Sequence, residues 1–364
     1  MTRSSPNGTD HHLILRSAAA LVAILATLAC GENPVQDVPS VTPQSDTTLL
    51  SEFATWTFGA EPPADDGLAT VTQKELRAKV RFLASEELGG RESGQPGAVA
   101  AATWIAEGLR QAGLAPGAGK KFLQPFTFGS GDVSTANVVA RLRGSDDVLR
   151  NEVIVVGAHY DHLGWRDGEL YPGADDNASG TAALIEVAEA LSALRTNLPR
   201  TILFVAFSGE EEGLLGSRHF VDHPTVAFER IVYMVNLDMI GHLEGHSLRF
   251  FNAREIPALA ELALSLSTDE GVTADTRGTS GGSDHVPFRA AGVPVVFLHT
   301  GLTSTYHSPE DRANTLDYPG MTAISRVTVR LVWNLAHGQR VAGARTPVRF
   351  DALFDHDARP FLRP

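Results

Sequence analysis

Two short apolar runs and one helical pattern mark the middle of the chain. Residues 153–158 and 201–207 are continuous runs of apolar and small residues, too short for globular helices. Such runs are typical of strands buried on both faces of a parallel sheet. Between them, apolar side chains recur at helical spacing at Leu184, Val187, Ala188 and Leu191. The pattern predicts a βαβ unit with a right-handed crossover.

The same alternation continues on both sides of this unit. Apolar spacing predicts helices near residues 76–83, 98–113, 256–266 and 321–336, and strands at 137–142, 231–237, 248–251 and 293–299. Alternating strands and helices favour an α/β fold. We expect a three-layer α/β/α sandwich with a mostly parallel central sheet, formed by a domain at residues 71–340 and followed by a short tail at 341–364.

The N-terminal residues have the pattern of an export signal. Arg3 and Arg16 precede an apolar stretch at residues 18–29, which is too short to span a membrane stably. Cys30, the single cysteine, follows directly after Ala29. This boundary resembles a bacterial lipoprotein box, although Thr27 and Leu28 depart from its usual residues. We expect residues 1–30 to direct export and to lipidate Cys30, with simple cleavage near Ala29 as the alternative.

Composition and charge exclude several classes of partner. The 364 residues carry a net charge of −13, which becomes −14 without residues 1–29. An acidic surface of this kind repels nucleic acid and anionic membranes. A single cysteine excludes an intramolecular disulfide. Residues 31–70 are rich in Ser, Thr, Pro and acidic residues with no sustained period, which indicates a flexible tether.

Histidine and acidic side chains follow the predicted strands. His159, Glu211, Asp238 and His307 each come soon after a strand, and Asp175 lies between the first strand and its helix. Ligands bind beyond the carboxyl ends of strands in open α/β sheets. Imidazole nitrogen and carboxylate oxygen are ordinary zinc ligands, and one carboxylate can bridge two ions. The five residues therefore suit two divalent ions such as zinc, with cobalt or manganese as alternatives.

Six motifs follow one another along the chain: HYDH, GADDNASG, GEEEGLLGS, NLDMIG, SDHVPF and YHSPED. In this order they resemble the co-catalytic, di-zinc aminopeptidase family of the bacterial leucyl aminopeptidase type, which is related to glutamate carboxypeptidase and glutaminyl cyclase. The resemblance covers residues 71–338. It implies a zinc-peptidase fold, peptide substrates and an enzyme that removes N-terminal residues through a metal-bridged water. With the export signal at residues 1–30, we expect an exported aminopeptidase.

The resemblance also implies a role for each matching residue. Two zinc ions per chain would be held by His159 with Asp238 and by Glu211 with His307, with Asp175 as the bridging ligand and a cis peptide bond at Asp175–Asp176. Glu210 would be the general base, Asp161 would orient His159, and Tyr306 would hydrogen-bond the developing oxyanion. Asp284 and His285 would support the site without ligating metal.

Some assignments remain open at this stage. Three consecutive glutamates stand where the family has two. Counting back from Gly213 places Glu210 and Glu211 in the functional pair and leaves Glu212 at the variable position. His219 and His223 have helical spacing but lack the accompanying Glu of a zinc-binding helix. Rival functions are a carboxypeptidase or dipeptidase, a glutaminyl cyclase-like enzyme, and a non-catalytic binding ectodomain; the oligomeric state is unknown.

Overall fold

The computed structural model describes residues 55–60, 67–194, 198–279 and 282–341. Cys30, the rest of the predicted export signal and most of the predicted tether lie outside these residues. The predicted tail after residue 341 also lies outside them. Within the described ranges, no helix combines the length and the apolar character needed to cross a membrane.

Strands and helices alternate along most of the chain. The strands are β1 (Thr55–Thr57), β2 (Ala115–Pro116), β3 (Leu123–Phe128), β4 (Val133–Leu142), β5 (Val153–His159), β6 (Gly164–Arg166), β7 (Glu169–Tyr171), β8 (Thr201–Phe207), β9 (Ile231–Leu237), β10 (Leu248–Phe251), β11 (Ala274–Asp275), β12 (Val295–His299) and β13 (Gln339–Val341). The helices are α1 (Gln73–Leu83), α2 (Pro96–Gln111), α3 (Gly180–Ala193), α4 (Leu215–Asp222), α5 (Pro257–Asp269), α6 (His285–Ala290) and α7 (Tyr318–His337).

One large mixed sheet organises these elements. Its strand order is β11-β10-β12-β9-β5-β8-β4-β2, and β3 pairs with β4. The middle strands β12, β9, β5 and β8 are mutually parallel. β10 joins β12 antiparallel, β4 joins β8 antiparallel, and β2 and β3 pair antiparallel with β4, whereas β11 pairs parallel with β10. The expected mostly parallel sheet therefore describes only the centre. Strands β3 and β4 are joined by residues 129–132, a short connection of the kind that links antiparallel neighbours.

Buried side chains cover both faces of the sheet. Ile154, Val156 and Phe204 belong to a cluster that also contains residues of α1, α2, α3, α5 and α7. Alternate residues of the same strands, including Val155, pack on the other face with Phe220 of α4 and Phe288 of α6. Successive strand residues point to opposite faces, so two covered faces explain the continuous apolar runs in β5, β8 and β9.

The sequence pattern predicts that the folded domain starts at residue 71, but the structure places its first strand earlier, at residues 55–57. Strand β1 pairs antiparallel with β13, so the chain closes on itself after α7. Trp56 of β1 is only 1% exposed, stacks edge-on against Tyr233 of β9 at 6.1 Å, and lies 5.2 Å from the Arg200 guanidinium. Three residues are too few to show a period, which is why the sequence pattern missed this strand.

Replacing Trp56 with alanine tests this closure. Truncating a buried Trp removes its apolar contacts and leaves a cavity, so we expect Trp56→Ala to lower the free energy of unfolding by about 3–5 kcal/mol. Denaturant unfolding of the purified protein measures the change. Val148→Ala, at a side chain that is 75% exposed, is the control and should stay within about 0.5 kcal/mol of the unsubstituted chain. Equal stability of both variants would contradict the packing of β1.

Candidate active site

The candidate site lies beyond the carboxyl ends of the parallel strands. His159 is the last residue of β5, and Asp238 directly follows β9. Glu211 comes a few residues after β8, and His307 lies in the loop that follows β12. The loop Ala174–Ser179, which enters α3, brings Asp176 between them.

Distances within this group match a pair of metal positions that share one carboxylate. His159 Nε2 lies 3.3 Å from Asp176 Oδ1 and 3.5 Å from Asp238 Oδ1. His307 Nε2 lies 3.1 Å from Asp176 Oδ2 and 3.2 Å from Glu211 Oε2. Tetrahedral zinc with bonds of about 2.0–2.2 Å separates its ligand atoms by about 3.4 Å. The two oxygens of Asp176 thus face two different histidines, as a bridging carboxylate does.

Unpartnered polar atoms give a second indication that the residues fit a cation. His159 Nε2 and Asp238 Oδ1 are buried and make no hydrogen bond. A buried polar atom without a partner costs free energy, which a bound cation would offset. Ligand atoms of His159, Glu210 and Asp238, and of His159, Asp176 and Glu211, each lie within 4.8 Å of one another. The donor set of imidazoles and carboxylates suits zinc.

Asp175, the bridging ligand predicted from the family resemblance, is not in this group. Its Oδ1 accepts hydrogen bonds from the Gly241 amide at 2.7 Å and from the Ser179 hydroxyl at 3.2 Å. The cis peptide bond is Asp176–Asn177, one residue later than expected. Asp311 accepts the amides of both Asp175 and Asp176, at 2.8 and 3.0 Å. Held in this way, the two neighbouring side chains point in different directions. Asp176, and not Asp175, lies between His159 and His307.

The three consecutive glutamates have different surroundings. Glu211 contacts His307 through Oε2 and lies 2.8 Å from His162 Nδ1 through Oε1. Glu210 lies beside His159 and Asp238, whereas Glu212 is exposed. Burial raises the pKa of Glu210 well above its usual value, and repulsion from Glu211 and other carboxylates adds to the effect. Glu210 is thus adjacent to the candidate metal positions, and Glu212 is directed to solvent.

His159 is oriented by a backbone carbonyl. Its Nδ1 lies 3.2 Å from the carbonyl oxygen of Asp161 and 3.8 Å from the Asp161 carboxylate, which is too far for a hydrogen bond. The family resemblance predicts this role for the Asp161 carboxylate, and the structure gives it to the carbonyl. An Nδ1–H donated to a carbonyl leaves Nε2 free to bind metal. The Asp161 carboxylate instead accepts the Glu210 amide at 3.3 Å, and burial raises its pKa to about 6.

Tyr306 and His307 form a stacked pair at the entrance of the group. Their ring centroids are 3.8 Å apart, and the Tyr306 side chain is partly buried. Burial raises the pKa of the Tyr306 hydroxyl, and nearby carboxylates, Asp176 first, add to the increase. The hydroxyl therefore stays protonated at neutral pH and is a hydrogen-bond donor, as expected for a group that stabilises an oxyanion.

Several buried residues around the site were not assigned from the sequence. His162 contacts Glu211, and Asp311 positions the loop that carries Asp176. Arg91 is fully buried and donates to the carbonyls of Tyr160, Pro172 and Gly173 at 2.7, 2.7 and 2.8 Å. His162 and Asp311 lie inside the HYDH and YHSPED motifs, so their positions were marked. Arg91 lies outside the six motifs, and only the Gly89-Gly90 pair before it marks its position in the sequence.

The remaining residues considered from the sequence lie elsewhere or in supporting positions. Asp284 and His285 are buried at the start of α6, where burial raises the pKa of Asp284 to about 7. His219 and His223 have ring centroids 4.8 Å apart, and His219 stacks on Phe126. Within the described residues, no metal-type cluster contains His219 or His223.

Comparison with known proteins places this arrangement in a family. The model of peptidase family M28 matches residues 137–332, slightly more than half of the chain. The chain belongs to peptidase family M28. The match includes the strands and loops that carry all five clustered residues, from His159 to His307.

Curated M28-like relatives match different shares of the chain. Aminopeptidase YwaD of Bacillus subtilis is 33% identical over 187 residues, which cover 49% of this chain and 40% of the relative. Leupeptin-inactivating enzyme 1 of Streptomyces exfoliatus is 28% identical over 322 residues, covering 82% and 67%. A probable leucine aminopeptidase of Trichophyton verrucosum is 29% identical, covering 51% and 54%. The chain spans about half the length of several of these relatives.

Solved structures share the M28 fold at low identity. The LapA aminopeptidase of Legionella pneumophila superposes with a TM-score of 0.64 at 23% identity, covering 79% of this chain and 78% of that one. The glutaminyl cyclase of Porphyromonas gingivalis gives 0.60 at 21% identity, covering 72% and 97%. A zinc aminopeptidase from Bacillus subtilis gives 0.59 at 19% identity, covering 76% and 96%. At these identities the likeness concerns the fold.

Proposed function

We propose that this chain is a zinc-dependent aminopeptidase that hydrolyses N-terminal residues from peptides. The observation that carries the proposal is the position of Asp176, whose two oxygens face His159 and His307 separately. Membership of family M28 and the aminopeptidase names of several relatives support the reaction class.

The geometry supports two zinc ions per chain. His159 and Asp238 would hold one ion, His307 and Glu211 the other, and Asp176 would bridge them in place of Asp175. Zinc bound there would polarise the scissile carbonyl and lower the pKa of an attacking water. Its positive charge would also offset the mutual repulsion of the buried carboxylates.

Protein side chains would carry out the proton transfer and the oxyanion stabilisation. Glu211 contacts His162 and His307, whereas its neighbour Glu210 lies beside His159 and Asp238. Glu210 would therefore be free to take a proton from the attacking water. The same carboxyl would then pass that proton to the leaving amine. Tyr306, a protonated donor beside His307, would hydrogen-bond the oxygen of the reacting carbonyl.

Export and architecture are part of the same proposal. The charged and apolar pattern of residues 1–30 supports export to the cell envelope, with Cys30 as a lipid anchor. Helices packed on both faces of the sheet support the three-layer α/β/α sandwich. Peptides outside the cytoplasm would then be the substrates.

Hydrolysis of a substrate panel tests the reaction class. We expect zinc-loaded enzyme to cleave aminoacyl anilides with a free amine, to lose activity on chelation, and to recover on zinc addition. N-acetylated anilides and peptides open only to carboxypeptidases are the controls. Cleavage of the carboxypeptidase substrates alone would contradict the aminopeptidase proposal. Two bound metals without any cleavage of peptides or anilides, together with cyclisation of N-terminal glutamine, would indicate a glutaminyl cyclase-like enzyme instead.

A matched pair of neighbouring aspartates tests the ligand set. Asp176→Asn removes a charged oxygen from both metal positions, so bound zinc should fall from about two ions per chain to less than one. Asp175→Asn keeps an oxygen for the Gly241 amide, so this variant should retain its zinc. Elemental analysis of both purified proteins measures the stoichiometry. Loss of zinc from the Asp175 variant with retention in the Asp176 variant would restore the original assignment.

The run of three glutamates provides its own control for the general base. Glu210→Gln removes the proton acceptor but leaves the ligands, so kcat should fall by about a thousandfold with zinc content unchanged. Glu212→Gln changes an exposed neighbour and should leave kcat within about twofold. Steady-state kinetics on one anilide substrate measures both. A Glu210 variant with ordinary turnover would exclude this residue as the base.

A further inference from the structure

Arg249, with His246 beside it, lies on the same edge of the sheet as the candidate active site. Strand β10 runs antiparallel to β12, and Arg249 near its start is in register with His299 at the end of β12. The start of β10 therefore lies at the carboxyl edge of the parallel strands, where ligands bind. Arg249 is two strands from β9, or about 10 Å from the strand that leads into Asp238.

Arg249 and His246 converge on the loop that leads to Tyr306. A methyl group added to Gly301 would lie 3.7 Å from Arg249 Nη2 and 3.8 Å from His246 Nδ1. Gly301 itself is buried and has a φ of +106°, a conformation that favours glycine. The absence of a side chain there leaves the Arg249 and His246 side chains next to the loop backbone.

The guanidinium of Arg249 has no partner among the residues that the structure describes. Arg249 is exposed, and within the ranges that the structure describes it makes neither a hydrogen bond nor an ion pair. The nearest acidic residue in register is Asp275 of β11, but both of its oxygens bind Arg277, at 2.9 and 3.1 Å. In a chain of net charge −13, an unpaired arginine at this edge is available to an external anion.

His299 connects this pair to the candidate metal positions. Its Nδ1 accepts the Gly301 amide at 2.6 Å, so the ring is held in the neutral form that carries a proton on Nε2. Burial lowers the pKa of His299, Asp238 opposes this effect, and Arg249 adds to it. Because β12 lies between β10 and β9, the ring stands between Arg249 and the strand that leads into Asp238.

We propose that Arg249, assisted by His246, binds a carboxylate of the peptide substrate, so that this enzyme prefers substrates bearing a negative charge near the cleaved bond. The inference rests on the proposed peptidase function. An arginine can bind a carboxylate through two parallel hydrogen bonds, which an amide or an aliphatic group cannot reproduce. Two parts of a peptide offer this chemistry: an acidic N-terminal side chain, and the α-carboxylate of a very short peptide.

Paired substrates distinguish these two sources. Glutamyl anilide is compared with glutaminyl anilide, which has the same shape without the charge. Leucyl-glycine is compared with leucyl-glycinamide, which lacks the α-carboxylate. We expect the charged member of one pair to be cleaved with a kcat/KM about tenfold or more above that of its neutral partner. The pair that shows the preference identifies the source of the carboxylate.

Variants then assign the preference to Arg249. Arg249→Met should remove the preference by lowering kcat/KM for the charged substrate about tenfold, while leucyl anilide changes less than about twofold. Arg249→Lys should restore part of the preference, because it keeps the charge but loses the paired donors. Arg143→Met is the control: this exposed arginine follows β4, which is antiparallel to β8 and places it at the opposite edge of the sheet.

The outcomes separate this inference from the proposed function. Cleavage of leucyl anilide with no charge preference in either pair would overturn the carboxylate site and leave the aminopeptidase proposal intact. A preference that survives Arg249→Met unchanged would also overturn it. Absence of any peptidase activity in zinc-loaded enzyme would overturn the proposed function, and this inference with it.

Discussion

Burial of acidic side chains at one end of the sheet is the constraint on which the site depends. Asp161, Asp176, Asp238 and Asp284 are all at most 6% exposed, and Glu211 lies among them. Carboxylates taken out of water together repel one another and lose hydration, so positive charge must accompany them. The histidines supply part of it: burial raises the pKa of Asp176, yet contacts with His159 and His307 hold it well below its usual value. Divalent cations satisfy the same requirement with the same ligand atoms.

Arg91 supplies positive charge to the buried carboxylates of the site. Burial lowers its pKa to about 10, while Asp311, Asp161 and other carboxylates favour its charge, so it remains a cation at neutral pH. Its donors bind backbone carbonyls rather than a carboxylate, at Tyr160 on one loop and at Pro172 and Gly173 on another. The first loop follows His159, and the second precedes Asp176. One buried side chain thus provides charge and also sets the spacing between two groups of proposed ligands.

The sequence predicted the centre of the molecule better than its margins. Strands β5, β8, β9 and β10 were predicted within one residue because burial on one or both faces leaves apolar runs. The short strands β1, β6, β7 and β13 have too few residues to show a period. Clustering of His159, Glu211, Asp238 and His307 followed from their positions after strands. The choice between Asp175 and Asp176 could not be read from spacing, because it depends on how Asp311 holds the two amides of that loop.

Strand β10, antiparallel to β12, adds a positively charged side chain to the edge of the sheet that carries the proposed metal positions. Parallel strands bring their carboxyl ends, and here their acidic side chains, to one edge of the sheet. An antiparallel neighbour brings its start to the same edge, and at this point the chain carries Arg249 rather than another acid. A peptide bound there would meet the proposed metal positions around Asp238 and the positive charge of Arg249, on strands about 10 Å apart. Contacts at these two points would fix the orientation of a substrate that carries a carboxylate, which neither group could do alone.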